Sequence, residues 1–285
     1  MKLKQRAAFL AAVLLFCRTA GAQSNSPAPA KKSSATPETV VASAKPEAKA
    51  AAASGKPEAK PAPAKPAPPP TDKELLESVL KKMDTAAANF RTTTADFQWD
   101  QFTRVIGATD TQTGKIYFRR NGKNIEMLAD VQTLNGAAAP KEVLFTDSKL
   151  RLYEPKLERV TVYDTGKNRA DFESFLVLGF GGRGHDLPNS FDVKYAGNET
   201  INGIKASKLE LVPKGDKAKK MFSNIELWID DARGVSVQQK FIESESGDYR
   251  LAKYSNVKIN EKLTDDDFKL KTTGKTKTVN APSGL

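Results

Sequence analysis

The feature that most constrains the fold is the two-residue period of apolar positions that begins after Thr92. From there, apolar residues alternate with polar ones in short segments, which is typical of strands with one buried face. Turn-forming pairs such as Asn121-Gly122, Asn135-Gly136 and Asn202-Gly203 separate these segments and suit tight hairpins. The pattern predicts about ten or eleven antiparallel strands without a parallel βαβ rhythm.

Two helices interrupt this pattern. Thr71-Asp72-Lys73-Glu74 fits a capping box, and apolar residues then recur at helical spacing as far as Phe90. A second, shorter helix is predicted over 168–180, and the glycine-rich run 179–184 after it predicts a loop that is free to move. A sheet of this size curls and needs a helix over its open side. The predicted fold class is therefore α+β, mainly β.

The first residues have the character of a secretory signal. Basic residues precede an apolar stretch, 7–16, that is too short to span a bilayer, and small residues end at Ala22. We therefore expect residues 1–22 to be a cleaved signal peptide and the protein to be periplasmic; an uncleaved anchor is the alternative, disfavoured by Arg18. Bulky Phe16 before Cys17 disfavours lipidation of that cysteine, the only one in the chain.

Residues 23–70 consist mostly of Ala, Pro, Lys, Ser and Glu, which predicts a disordered linker. Its lysines offer an alternative role in binding the cell wall or lipid headgroups. Residues 71–272 are predicted to form the folded domain, and 273–285 a flexible polar tail. Much of the net charge of +11 lies before residue 71, and the remaining +3 makes nucleic-acid binding a poor candidate function.

Catalytic and metal-binding signals are sparse. His185 is the only histidine, so a multi-histidine metal site is excluded, and no cofactor is predicted. An exported hydrolase that uses His185 is a distant alternative, because an ordinary polar loop residue explains the same position. The run 265–267 of three aspartates lacks the spacing of a calcium loop and favours a helix-starting acidic turn after Thr264.

Apolar and aromatic residues concentrate in the first half of the sheet and on the short helix that follows. Arg120 shares strand parity with Ile116 and Phe118, so it should face the same apolar side, where an unpaired guanidinium is costly. Ordinary core packing competes with a ligand cavity for each apolar residue taken singly. The candidate cavity residues are Phe97, Trp99, Ile116, Phe118, Phe145, Tyr153, Phe172, Phe175 and Leu176.

Four stretches, taken in order, carry a resemblance over about residues 72–270. They are Phe97-Gln98, the segment 114–127 with Tyr117-Phe118-Arg119-Arg120-Asn121, the segment 150–155, and 209–214 followed by 225–230. In this order and spacing the chain resembles the LolA family of periplasmic lipoprotein carriers and their lipoprotein-sorting relatives. The resemblance implies an unclosed antiparallel β-barrel covered by an N-terminal helix and a lid helix over an apolar cavity.

The resemblance also implies a function and partners. A monomeric, non-enzymatic chaperone would hold the acyl chains of lipoproteins, receive them from an inner-membrane ABC transporter and pass them to an outer-membrane acceptor. The lid-latching arginine of the family would be Arg120, although Asn121 in place of the family's proline leaves Arg119 as an alternative. A carrier or sensor of another lipid and a cell-wall-binding protein remain open, whereas a LolB-type receptor would need a lipidated cysteine.

Overall fold

A computed structural model describes residues 69–122, 124–166, 173 and 175–281. The predicted signal peptide, nearly all of the linker and Phe172 lie outside this part. Its helices are α1 (Asp72–Asn89), α2 (Leu187–Ser190) and α3 (Asp216–Met221), with short 3-10 helices at Pro155–Leu157, Gly184–Asp186 and Asp265–Phe268. The strands are β1 (Thr92–Thr103), β2 (Ala108–Asn121), β3 (Asn124–Leu134), β4 (Ala137–Thr146), β5 (Lys149–Glu154), β6 (Arg159–Asp164), β7 (Phe191–Ile201), β8 (Ile204–Pro213), β9 (Phe222–Asp230), β10 (Ser236–Glu243), β11 (Tyr249–Ile259) and β12 (Lys277–Asn280).

Helix α1 begins at the capping box that the sequence predicts. The Thr71 hydroxyl accepts a hydrogen bond from the Glu74 amide, and the Glu74 carboxylate accepts one from the Thr71 amide, so two otherwise unpaired donors are satisfied. The helix lays one apolar face on the sheet through Val79, Leu80, Met83 and Ala87. Among the described residues, no helix is both long and apolar enough to cross a membrane.

The strands of the described part form one sheet in the order β12-β6-β5-β4-β3-β2-β1-β11-β10-β9-β8-β7. β1 to β6 form one antiparallel meander and β7 to β11 a second, because each strand pairs with its successor in the chain. The two meanders join where β1 pairs with β11, with Phe97 opposite Tyr254. The outer strands β12 and β7 do not pair with each other, which confirms the predicted unclosed antiparallel sheet.

The count of twelve strands exceeds the prediction because the C-terminal segment adds one. β12 lies within the stretch predicted as a flexible tail, and it pairs in parallel with β6, Lys277 opposite Arg159 and Asn280 opposite Val162. All four of its residues are exposed, so the segment lacks the alternation of buried apolar and exposed polar residues from which a strand is predicted. The unpaired backbone of the edge strand β6 is what gives this polar segment its partner.

The inner face of the sheet carries two apolar clusters. The first lies on β1 to β5 and β11 and includes Phe97, Phe118 and Phe145. The second lies on β7 to β10, where α1 covers it through Val79, Leu80 and Met83. Helix α1 therefore covers one half of this face, and another segment has to cover the other half.

The three aspartates at 265–267 form the acidic turn that the sequence indicates. Thr264 and Asp267 make a reciprocal capping box around the 3-10 helix. Phe268 at its end packs against Leu128 and Leu144 on the outer face of the sheet. This turn therefore attaches the segment after β11 to the outer face of the sheet.

Candidate functional site

The predicted cavity residues meet, for the most part, in the first apolar cluster. The rings of Phe97 and Trp99 stack with their centroids 4.0 Å apart. Ile116, Phe118 and Phe145 belong to the same buried cluster, and Leu176 packs against it. The sequence therefore identifies one contiguous apolar region from residues that lie on three different strands and a connecting segment.

Two predicted residues lie elsewhere. Phe175 contacts Phe191 and Phe222 in the second cluster. Tyr153 is buried but lies next to Leu152, which packs in the first cluster; because successive side chains of a strand point to opposite faces, its ring is on the outer face. Its aromatic character favours a place among the cavity residues, but its position in β5 puts its side chain on the opposite face of the sheet.

Residues 177–184, which we call the strap, cover the first cluster. The described residues before it, 173, 175 and 176, are helical, so only the end of the predicted second helix is described. Phe180 lies with its ring 5.4 Å from that of Phe118 and 4.7 Å, edge-on, from that of Tyr254. The sequence prediction did not include Phe180 in the site, although it is the only aromatic residue in the glycine-rich run.

Tyr254 shows how apolar this region is. Its pKa is raised to about 12 by burial, an effect that a hydrogen bond from Trp99 and the charge of Arg250 oppose only in part. Burial disfavours the charged form of a phenol. The region between sheet and strap is therefore apolar, and the protein's own side chains, including Phe118, Phe180 and Tyr254, are packed in it.

The glycines of the strap allow close packing in the described state, and whether this segment moves stays a prediction. A Cβ atom at Gly181 would lie 2.6 Å from the Phe90 ring, and one at Gly184 would lie 2.4 Å from the Leu80 carbonyl oxygen. A Cβ atom at Gly179 would lie 2.4 Å from the Ser236 Cβ. Because glycine has no side chain, a glycine-rich segment can be mobile, but it can also pack closely against other elements, here α1 and β10.

Hydrogen bonds also hold the backbone of the strap to β10. The Gln239 side chain donates to the Leu178 carbonyl at 2.5 Å, and the Ser236 amide donates to the Gly179 carbonyl at 2.8 Å. Gln239 is itself buried, so its amide would be left unpaired if the strap moved away.

Arg120 contacts both covering segments from β2. Its Nη2 donates to the Gly181 carbonyl at 2.6 Å, its Nη1 donates to the Ala87 carbonyl at 3.1 Å, and its guanidinium lies 5.4 Å from the Phe90 ring. Arg119 points the other way, to Glu126 at 2.6 Å and Asp265 at 2.8 Å. Of these two arginines, Arg120 is therefore the one that contacts the strap.

The electrostatics of this contact favour release. No carboxylate among the described residues contacts Arg120, and its pKa is lowered by burial and then by the charge of Arg91. A guanidinium held only by carbonyl dipoles makes strong directional bonds but lacks a counter-ion. Arg120 can therefore return to water more readily than a member of a buried ion pair.

His185 fastens the end of the strap to α1. Its Nδ1 lies 2.5 Å from an Asp84 carboxylate oxygen, its Nε2 lies 3.0 Å from a Glu77 oxygen, and its amide donates to Asp84 at 3.2 Å. Both ring nitrogens are therefore engaged by carboxylates of α1. The described residues contain no group of three or more side chains suited to hold a metal ion.

This contact predicts a pH dependence. Hydrogen bonds to Asp84 and then Glu77 raise the pKa of His185, whereas the pKa of Asp84, which burial pushes upward, is lowered on balance by its bonds to His185, helped by the charge of Arg183. Because the pKa of His185 is higher when the end of the strap contacts α1, protonation of the ring stabilises this contact. The contribution is fully present below the ordinary pKa of histidine and is lost as pH rises through the raised pKa.

We therefore expect the end of the strap to be held more firmly on the acid side of this window. An NMR titration can follow the ring directly, because the chain has no other histidine. Amide exchange at residues 183–187 should become faster as pH rises, beyond the intrinsic pH effect. A H185Q variant should abolish this extra dependence, and an unchanged profile in H185Q would contradict the assignment.

Comparisons with known proteins add likenesses in fold. No family model matches the chain, and no curated protein matches it. An uncharacterized conserved protein from Thermus thermophilus is similar at 13% identity and a TM-score of 0.47, over 72% of this chain and 98% of that one. A chain of the Pseudomonas aeruginosa MucA/MucB complex is similar at 15% identity and a TM-score of 0.42, over 72% and 64%. The similar solved structures also include a LolA superfamily protein from Nitrosomonas europaea, at 12% identity and a TM-score of 0.35 over 68% and 97%.

Proposed function

We propose that the protein is a non-enzymatic carrier that holds an acyl chain between the sheet and the strap. The observation that carries this proposal is the combination of an apolar aromatic cluster with a cover that is attached by polar, breakable contacts. Phe180 is 1% exposed and fills the space between Phe118 and Tyr254. In this proposal the described state is closed, and an acyl chain takes the place of the Phe180 ring.

The energetics suit a reversible exchange. An acyl chain gains about 0.8 kcal/mol for each methylene it buries, and withdrawing a phenylalanine ring costs about 1.5–3 kcal/mol. Loss of the hydrogen bonds to Gly181 and Leu178 adds about 1 kcal/mol or more for each bond. The free energy needed to open the strap therefore offsets part of the free energy gained by burying the acyl chain. This lowers the net affinity for cargo and allows its release.

The expected setting follows from the sequence. The predicted signal peptide places the carrier in the periplasm, where it would take the acyl chains of lipoproteins from an inner-membrane ABC transporter to an outer-membrane acceptor, acting as a monomer. A carrier or sensor of another lipid would use the same apolar region. The two differ in whether the site accepts the acylated N-terminus of a peptide or only a free lipid.

A Phe180→Ala variant tests whether Phe180 occupies the cargo space. We expect the purified variant to bind a dansyl-labelled fatty acid about tenfold more tightly than the wild type, because its cover no longer fills the site. Its stability should fall by about 3–5 kcal/mol, as for other buried phenylalanines. Displacement by a palmitoylated cysteinyl peptide would favour lipoprotein cargo, and displacement by free palmitate alone would favour another lipid.

Phe241→Ala is the matched control. Phe241 is 5% exposed and packs against Phe222 in the second cluster, whereas Phe180 belongs to the first. This variant should lose a comparable amount of stability without gaining affinity for the probe. Absence of probe binding to both the wild type and Phe180→Ala would contradict the carrier proposal.

A further inference from the structure

The hairpin between β1 and β2 ends in an exposed apolar tip. Val105 is 88% exposed and Ile106 is 72% exposed, and the two are adjacent in the turn over residues 104–107. The other exposed large apolar residues of the described part, led by Leu157 at 57%, are isolated from one another in the sequence. Two adjacent aliphatic side chains at this exposure are costly to keep in water.

The fold holds the tip in this conformation. The Gly107 amide donates to the Arg104 carbonyl at 3.2 Å, and Gly107 has a φ of +61°, which favours glycine. The Arg104 amide donates to the Asp248 carboxylate at 2.9 Å, and Asp248 is only 4% exposed. The turn is therefore tied to the neighbouring β10–β11 hairpin, and the exposed side chains are a built feature of the fold.

Aromatic residues and a lysine lie just below the tip. The rings of Phe102 and Tyr249 stack with their centroids 4.9 Å apart, and the Lys240 ammonium lies 4.4 Å from the Tyr249 ring centroid. Amphipathic rings and a lysine beside an aliphatic end are typical of protein surfaces that meet the interface between lipid and water.

We propose that this tip docks the protein on a lipid bilayer by inserting Val105 and Ile106 among the lipid chains. A stable protein–protein interface buries about 800 Å² on each partner and involves roughly 20–30 residues, which two side chains on a convex turn do not supply. A fluid bilayer needs no complementary shape and accepts such a tip. Insertion of so small an apolar group is weak and reversible, because stable anchoring takes a second signal.

The charges around the tip indicate which lipids matter. Acidic residues outnumber basic ones there, so attraction to anionic headgroups does not drive binding at this site. The lysine-rich stretch 23–70, in contrast, would need anionic lipid to bind a membrane. The charged residues of segments 100–111 and 240–251, which contain the tip, the ends of the adjoining strands and the neighbouring loop, are Arg104, Lys240 and Arg250 against Asp100, Asp110, Glu243, Glu245 and Asp248.

Cosedimentation of the full chain with vesicles tests the proposal. The wild type should bind vesicles of phosphatidylcholine alone and show only a small gain when phosphatidylglycerol is added. The double variant V105D/I106D should bind at least about tenfold more weakly to both, because a carboxylate inserts poorly into lipid. V279D is the matched control, since Val279 is exposed at 42% on the outer strand β12, and it should bind like the wild type.

Three outcomes would overturn the proposal: no binding to vesicles of either composition, binding that requires phosphatidylglycerol, or equal binding by V105D/I106D and the wild type. The first and third would leave a protein pocket as the partner of the tip, and the second would assign membrane contact to the lysine-rich stretch. The docking surface goes beyond the carrier function and is measured without cargo. Dansyl-fatty-acid binding by V105D/I106D, with an unchanged melting temperature, would show that the carrier site is unaffected.

Discussion

Replacing Arg120 with leucine should release the strap while leaving the sheet folded. The variant loses the hydrogen bonds to the Gly181 and Ala87 carbonyls. Bonds from a charged donor are worth about 1.5–3 kcal/mol each, but the guanidinium is half-buried without a counter-ion, so we expect a net loss of about 1–2 kcal/mol. That corresponds to a rise in strap opening of roughly 5–30-fold.

Hydrogen exchange measures this opening directly. The Ser236 amide of β10 donates to the Gly179 carbonyl of the strap at 2.8 Å. It loses this partner when the strap opens, so its protection factor should fall by the same factor of roughly 5–30. In a reconstituted assay, the variant should trap cargo or fail to load it. Normal transfer to an acceptor membrane would falsify the latch role.

Arg119→Leu is the matched control for Arg120→Leu. It makes the same change on the neighbouring residue, but Arg119 binds Glu126 and Asp265 on the outer face and lies 4.5 Å from the Phe268 ring. We expect it to loosen the acidic turn at 265–268 without altering exchange at the Ser236 amide. Equal effects of the two variants on the strap would show that Arg120 has no special role there.

Replacing Gly184 with alanine should have the second large effect, because it pushes the strap away from α1. The added Cβ would lie 2.4 Å from the Leu80 carbonyl oxygen and 2.6 Å from the Leu80 Cα, and helix backbone cannot move as a flexible side chain can. Overpacking of this kind costs about 1–3 kcal/mol. In a domain of this size, we expect the melting temperature to fall by roughly 2–4 °C for each kcal/mol.

Gly274→Ala is the control for Gly184→Ala. A Cβ at Gly274 meets no heavy atom within 4 Å, so its melting temperature should change by about 1 °C or less. Gly184→Ala should also weaken the contact of His185 with Asp84, which the NMR titration of the histidine reports as a pKa closer to its ordinary value. A melting temperature for Gly184→Ala equal to that of the control would contradict the close packing of the strap.

The sequence by itself determined the elements that depend on local chemistry. The capping box at Thr71 and Glu74 specifies where α1 begins, because both partners lie within one helical turn. The two-residue period and the turn pairs specify most of the strands and their antiparallel order. Strand parity also assigned Arg120 to the apolar side, since the side chains at 116, 118 and 120 lie on one face of β2.

Only the tertiary structure decided which segments meet across the sheet. The pairing of β12 with β6, the separation of Phe175 from the first cluster and the contact of His185 with α1 all join residues distant in sequence. The strap is the clearest case: its glycines and Phe180 carry no periodic pattern, and the same sequence suits a mobile loop or a closely packed cover. The backbone of α1, the side chains of β10 and the guanidinium of Arg120 select the packed cover, because these partners become available only once the sheet has formed.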